Sequence, residues 1–301
     1  MMRISLITLL LMLSFYQLDV YGCEERSVRD ASYWNKMYKD PRLFLFPFEP
    51  IPLSSAVEPL RTLNEEGIRG IERGDYRQAG RDFSEAIKVS PGSAPLHHNL
   101  ALVFFKKLDL TRAVESWKRA SSLDPRNPRY LYHLAFALSS DGRAEEAITV
   151  YQNLLAMDKR PEIFNSLGQL FEFRGNVSEA DKHFRQAVAI KPDYLPALNN
   201  LGRLYRKAGR LEKAERVFKE LVRRDPDDVE NYLNLGALYS DMGKKTRAIE
   251  YYRKALGLRP DYAEIHLLLS GIYRKMGRTK QADNEEILAH SISCELRPNL
   301  E

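Results

Sequence analysis

Residues 199–210 read NNLGRLYRKAGR, and residues 233–244 read LNLGALYSDMGK. Across this offset of 34 residues, Asn200, Leu201, Gly202, Tyr205 and Gly209 reappear as Asn234, Leu235, Gly236, Tyr239 and Gly243, while the charged letters change. Working outward, the chain divides from Leu60 onward into units starting near Leu60, Ala94, Pro128, Pro161, Leu195, Val229 and Ala263, the third one residue short. Each unit carries two stretches with apolar residues at i, i+3, i+4 and i+7, the spacing of an amphipathic helix. Between the two stretches six of the seven units place a glycine, at Gly74, Gly142, Gly175, Gly209, Gly243 and Gly277. Glycine accepts the backbone angles at which helices end. Pro91, Pro125, Pro192, Pro226 and Pro260 mark the breaks between units, because proline cannot continue a helix interior.

A small residue recurs early in the first helix, at Gly67, Ala101, Ala135, Gly168, Gly202, Gly236 and Ser270. Phe104, Phe171, Tyr205, Tyr239 and Tyr273 stand three residues after five of these. The second helix carries Ala79, Ala113, Ala147, Ala180, Ala214, Ala248 and Ala282, followed in the first six units by Phe83, Trp117, Tyr151, Phe184, Phe218 and Tyr252. This pattern resembles the tetratricopeptide repeat family over about four-fifths of the chain. The resemblance implies an all-α fold, a right-handed superhelix of about seven helix-turn-helix repeats. The small residue lets two helices approach, the aromatic fills the space beside it, and neighbouring pairs stack because one pair cannot cover its own apolar face. Gly202→Leu and Ala214→Glu are therefore expected to damage the fold, and Lys219 is expected on a tolerant outer face. Glu286 replaces the aromatic in the seventh unit, which suits a cap with no further neighbour.

The ends read differently. Residues 1–22 hold one arginine and a short apolar run from Ile4 to Tyr16, which fits a signal peptide. Val20, Tyr21, Gly22 and Cys23 resemble a bacterial lipobox, although Tyr21 is bulky for one. That likeness implies a lipid on Cys23 and a periplasmic or outer-membrane anchored protein. The alternative is ordinary cleavage near Gly22 and a soluble secreted chain, in which Cys23 and Cys294 could join as a disulfide. Residues 23–59 form an arm or linker rich in proline and aromatics, including Phe44, Phe46 and Phe48, which favours docking over exposure. The repeats are expected over 60–296, and residues 297–301 are a tail.

The function classes narrow by what chemistry needs. The nucleophile-elbow, zinc-protease, phosphate-loop and dinucleotide motifs are missing, so no catalytic residue and no cofactor is assigned. His98 and His133 could face one groove, but two histidines of ordinary environment are a thin basis for a metal site, and none is assigned. The net charge of +5 is spread among acids, and no nucleic-acid motif accompanies it, so no nucleic-acid partner is expected.

What remains is protein binding. In the family, positions 2, 5, 6, 9, 12 and 13 of each first helix face the concave surface. Position 6 reads Glu65, Asn99, His133, Ser166, Asn200, Asn234 and Leu268, with Asn165 and Asn199 one place earlier. These asparagines resemble the ladder in the repeat domain of the enzyme that attaches N-acetylglucosamine to Ser and Thr, which holds the main chain of an extended polypeptide. An amide both donates and accepts, so it can pair with a peptide group of any sequence. Arg203, Arg206, Lys207, Arg274 and Lys275 make the later half of this surface basic, interrupted by Asp241, which suits an acidic peptide. Ile68, Ile71, Leu102, Phe105 and Phe136 make the earlier half apolar, suited to the arm, to a partner helix, or to the core itself. The inward side chains are expected to face solvent. The expected function is a non-catalytic scaffold or adaptor of the cell envelope, with a soluble secretory-pathway binding module as the alternative.

Overall fold

A computed structural model describes residues 50–53 and 58–295. The signal stretch, Cys23, residues 24–49 of the arm and the 297–301 tail lie outside the described residues, as does any pairing of Cys23 with Cys294. Among the described residues are fourteen α-helices and no strand. The helices form seven pairs: α1 (Leu60–Glu72) with α2 (Tyr76–Val89), α3 (Ala94–Lys106) with α4 (Leu110–Leu123), α5 (Pro128–Ser140) with α6 (Ala144–Leu155), and α7 (Pro161–Phe173) with α8 (Val177–Ile190). Then follow α9 (Leu195–Lys207) with α10 (Leu211–Arg224), α11 (Val229–Asp241) with α12 (Lys245–Leu258), and α13 (Ala263–Lys275) with α14 (Thr279–Glu295). The chain forms two compact units that divide within α7, residues up to 170 and residues from 171. Within each unit, helices adjacent in sequence other than α7 pack on one another, and in the first unit α1 also touches α3.

The turns inside the pairs are made as glycine permits. All six turn glycines have φ between 70° and 79°. The seventh turn, between α3 and α4, closes in the same way with Leu108 at φ 60°, its side chain 70% exposed. Asp109 N–H bonds back to the Phe104 carbonyl at 2.9 Å, as Arg210 N–H bonds to Tyr205. Three of the second helices then start on side-chain caps: Asp75, Asp109 and Asn176 each accept a backbone N–H three residues on.

Inside each pair the small-residue and aromatic positions meet. A Cβ on Gly67 would stand 2.6 Å from Phe83 Cε1, and one on Gly202 2.5 Å from Phe218 Cε1, too close for any side chain. The seven second-helix alanines are all fully buried. In the last pair the same place is filled by polar chemistry. Ser270 donates to Glu286 at 2.7 Å, and the other Glu286 oxygen takes Arg274 at 2.7 Å. The carboxylate at the aromatic position is thus matched by a hydroxyl at the small-residue position.

Candidate functional site

The site grows from three residues before the first helix. Pro50 and Pro52 have no N–H, and a residue preceding proline is pushed towards extended backbone, so Pro50-Ile51-Pro52 is extended with one amide donor. That donor and the Ile51 carbonyl are both taken by Asn99 of α3. Ile51 N–H donates to Asn99 Oδ1 at 2.7 Å, and Asn99 Nδ2 donates to the Ile51 carbonyl at 2.9 Å. The same Nδ2 donates to Asn64 Oδ1 of α1 at 2.9 Å, and Asn64 Nδ2 reaches the Ile51 carbonyl at 3.5 Å. Asn64 and Asn99 are fully buried under this segment. Ile51 packs against the cluster of Ala94, Ala120 and Tyr130, with Leu123 beside it. Leu53 packs against the cluster of Phe83, Leu96 and Val103, alongside Ile68 and Ile71. A short extended segment is therefore held by its main chain and by two alternate side chains.

The second unit repeats the amide pair. Asn234 of α11 donates to Asn199 of α9 at 3.1 Å, across the same separation of 35 residues as Asn64 and Asn99. Both are half-buried. Asn234 Oδ1 and Asn199 Nδ2 have no hydrogen bond to any described residue. Other asparagines serve the fold. Asn231 donates to the carbonyls of Leu221 and Asp225, closing the end of α10. Asn165 and Asn200 are buried at 7% and 8% exposure, so they do not project into solvent as the face assignment expected.

The cations are mostly spoken for. Lys207 pairs with Glu172 of α7 at 2.6 Å, Arg206 with Asp241 of α11 at 3.5 Å, and Arg274 with Glu286 of α14 at 2.7 Å. Arg203 and Lys275 are exposed and form no ion pair among the described residues. Arg203 lies one helical turn after Asn199, on the same face. The basic half of the face thus narrows to two free charges.

The apolar half divides as well. Leu102 and Phe105 are core residues, at 0% and 2% exposure, while Ile68 and Ile71 stay half-buried at its edge. His98 and His133 lie in the core with rings 5.2 Å apart, and His98 Nδ1 accepts the Trp117 indole N–H at 3.1 Å. Among the described residues no group of three or more side chains is placed to hold a metal. Burial pushes Lys106, at position 13 of the second repeat, below the ordinary lysine range.

Asn64 was not picked out from the sequence, although it stands at position 5 like Asn165 and Asn199, while Asn99 stands at position 6. The signal that finds it is the spacing of 35. Glu172 to Lys207 shows that spacing, and Arg206 to Asp241 repeats it (241 − 206 = 35).

Profiles of the tetratricopeptide repeat match residues 98–162, 174–239 and 229–262. Among curated proteins, the chain is 28% identical over 130 residues to the type IV pilus assembly protein PilF of Pseudomonas aeruginosa. It is 31% identical over 101 residues to the small glutamine-rich tetratricopeptide repeat-containing protein 2 of Mycosarcoma maydis. Those matches take in 41% and 34% of this chain but only 50% and 29% of the relatives, so the chain spans at most half their length. Among solved structures, a tetratricopeptide repeat protein from Parabacteroides merdae is similar with a TM-score of 0.64 at 23% identity, over 77% of this chain and 93% of that one. PilW, described as a widely conserved type IV pilus biogenesis factor, is similar with a TM-score of 0.60 at 21% identity, over 72% and 99%. At these identities the structures speak for the fold.

Proposed function

This chain is a tetratricopeptide repeat protein, and from that premise we propose that it is a non-catalytic adaptor that binds extended segments of partner proteins on its first-helix face, held at the cell envelope by a lipid on Cys23. The observation that carries the binding reading is the Asn99 clamp: a groove asparagine takes both main-chain groups of one residue and leaves the side chain to neighbouring pockets. That is how a peptide of variable sequence is recognised. The partial likeness to a pilus assembly protein supports an assembly role. The lipobox-like Val20–Cys23 supports the anchor.

Two measurements test the parts separately. A photo-crosslinker at Lys207 should capture partner chains in living cells, and Asn199→Ala with Asn234→Ala should abolish that capture while circular dichroism stays unchanged. Undiminished capture by the folded double variant would move binding off this face. For the anchor, Cys23→Ser should shift the chain from the membrane fraction to the soluble one. A wild-type chain without an acyl group would remove the lipid from the reading.

A further inference from the structure

The clamp on Ile51 and the amide pair of the second unit correspond residue by residue at a shift of 135 (234 − 99 = 135). Asn64 and Asn99 become Asn199 and Asn234, and in each pair the later amide donates to the earlier. Asn99 uses Oδ1 and its second Nδ2 hydrogen on Ile51; the matching Oδ1 of Asn234 is open. The residues that receive the Ile51 side chain also correspond. Ala94, Ala120 and Tyr130 become Val229, Ala255 and Ile265, all buried and apolar. Leu123 becomes Leu258, which is 42% exposed. The residues around Leu53 correspond less well: Leu96 becomes Asn231, which bonds the Leu221 and Asp225 carbonyls. Ile68 and Ile71, which border the cluster under Leu53, become Arg203 and Arg206. Arg206 is held by Asp241, and Arg203 is exposed without an ion pair among the described residues.

We infer that Asn199 and Asn234 form a second main-chain clamp whose ligand is an extended partner segment with an aliphatic residue at the clamped position and a carboxylate two residues towards its C-terminus. The inference rests on the reading of the first-helix face as a peptide-binding surface. Alternate residues of an extended chain point the same way, so the side chain two places after the clamped residue falls over the residue one turn beyond Asn199. In the first unit that place holds Ile68, which packs, like Leu53, against the cluster of Phe83, Leu96 and Val103. In the second it holds Arg203, and a carboxylate there gains a charge-assisted hydrogen bond that leucine cannot make. The chain's own Pro50–Leu53 sequence is thereby matched to the first clamp and mismatched to the second, which keeps the second for a partner.

The test uses the full-length chain and four fluorescent peptides in anisotropy titrations: PIPLSS (residues 50–55), its Leu53→Asp form, the latter N-methylated at the isoleucine, and a Leu53→Lys form. The aspartate peptide should bind about tenfold tighter than PIPLSS, the gain of one charge-assisted hydrogen bond. N-methylation should abolish binding, and Asn234→Ala should weaken it about tenfold or more. Arg203→Glu, at an exposed site that keeps the test readable should Asn234→Ala melt, should reverse the preference so that a Leu53→Lys peptide binds better than the aspartate one. If the aspartate peptide binds and N-methylation blocks it, but Asn234→Ala and Arg203→Glu change nothing, the extended-chain reading survives and this clamp is refuted. If none of the peptides binds, or N-methylation has no effect, the main-chain reading falls with it.

Discussion

The Asn64–Asn99 pair and the Asn199–Asn234 pair are the same two amides in the same register, yet the first is fully buried and the second half open. The helices do not make that difference; the segment over them does. Asn99 is covered by Ile51, whose single amide donor lies between two prolines and would be costly to bury unpaired. Left uncovered, a pair of amides costs the fold little, because water satisfies whatever the partner amide does not. Stability and binding can therefore be carried by one side-chain pair, depending on what lies across it.

The contrast can be broken most severely from beneath. Ala214 is fully buried behind α9, so Ala214→Glu should cost about 3–5 kcal/mol by burying an unpaired charge. Gly202→Leu should cost about 1–3 kcal/mol by driving α9 away from Phe218. Thermal melting checks both, and either change should misplace Asn199 relative to Asn234. The next effect compares the pairs directly. Asn99→Ala leaves Ile51 N–H without its acceptor and should cost about 1–3 kcal/mol, with fast hydrogen exchange at Ile51 as the local readout. Asn234→Ala removes one hydrogen bond between half-buried amides and should cost about 0.5–1 kcal/mol. Equal losses at the two sites would mean that Ile51 contributes nothing to the burial of its clamp.

Smaller effects follow outside the pairs. Lys219 was expected to tolerate reversal, but it pairs with Glu215 at 2.7 Å, and Glu215 also accepts the Tyr239 hydroxyl at 2.8 Å. Lys219 is the main reason that the Glu215 carboxyl is held below its usual range. Lys219→Glu sets two carboxylates one turn apart and should cost about 1 kcal/mol, lessened by high salt in a melting series. The smallest effect has the opposite sign. Leu108 holds a left-handed conformation that disfavours a Cβ by about 1–2 kcal/mol. Leu108→Gly should raise stability by about 0.5–1 kcal/mol, because glycine's greater freedom in the unfolded chain takes back part of the gain. Chemical denaturation should show the midpoint rising.

The repeat was legible because its letters do packing that no other letters can do: glycine under a ring, alanine at a helix contact, glycine at φ near 70°. Even the exception at Leu108 was visible as a missing glycine. The face was legible only in part. Counting one position per helix found Asn99, Asn200 and Asn234, but hydrogen bonds on this face join position 5 of one repeat to position 6 of the next. That step is 35 residues in a 34-residue repeat, one position further along the next helix, or about 1.5 Å and 100°. The same step joins Glu172 to Lys207, so a cation read alone looked free when it was not. Arg203 has Leu238 thirty-five residues on, which offers it no carboxylate.

Ser270 and Glu286 set a limit on how this chain can change length. The other pairs obey one rule, a ring over a small residue, so a repeat cut out or copied in whole multiples would meet a compatible neighbour inside itself. The last pair obeys a different rule, since its carboxylate needs Ser270 and Arg274 of its own first helix. Recombination between its two helices and those of any other repeat would set Glu286 against a glycine or alanine, or an aromatic ring against Ser270. The final repeat is thus exchangeable only as a single block, both of its helices together.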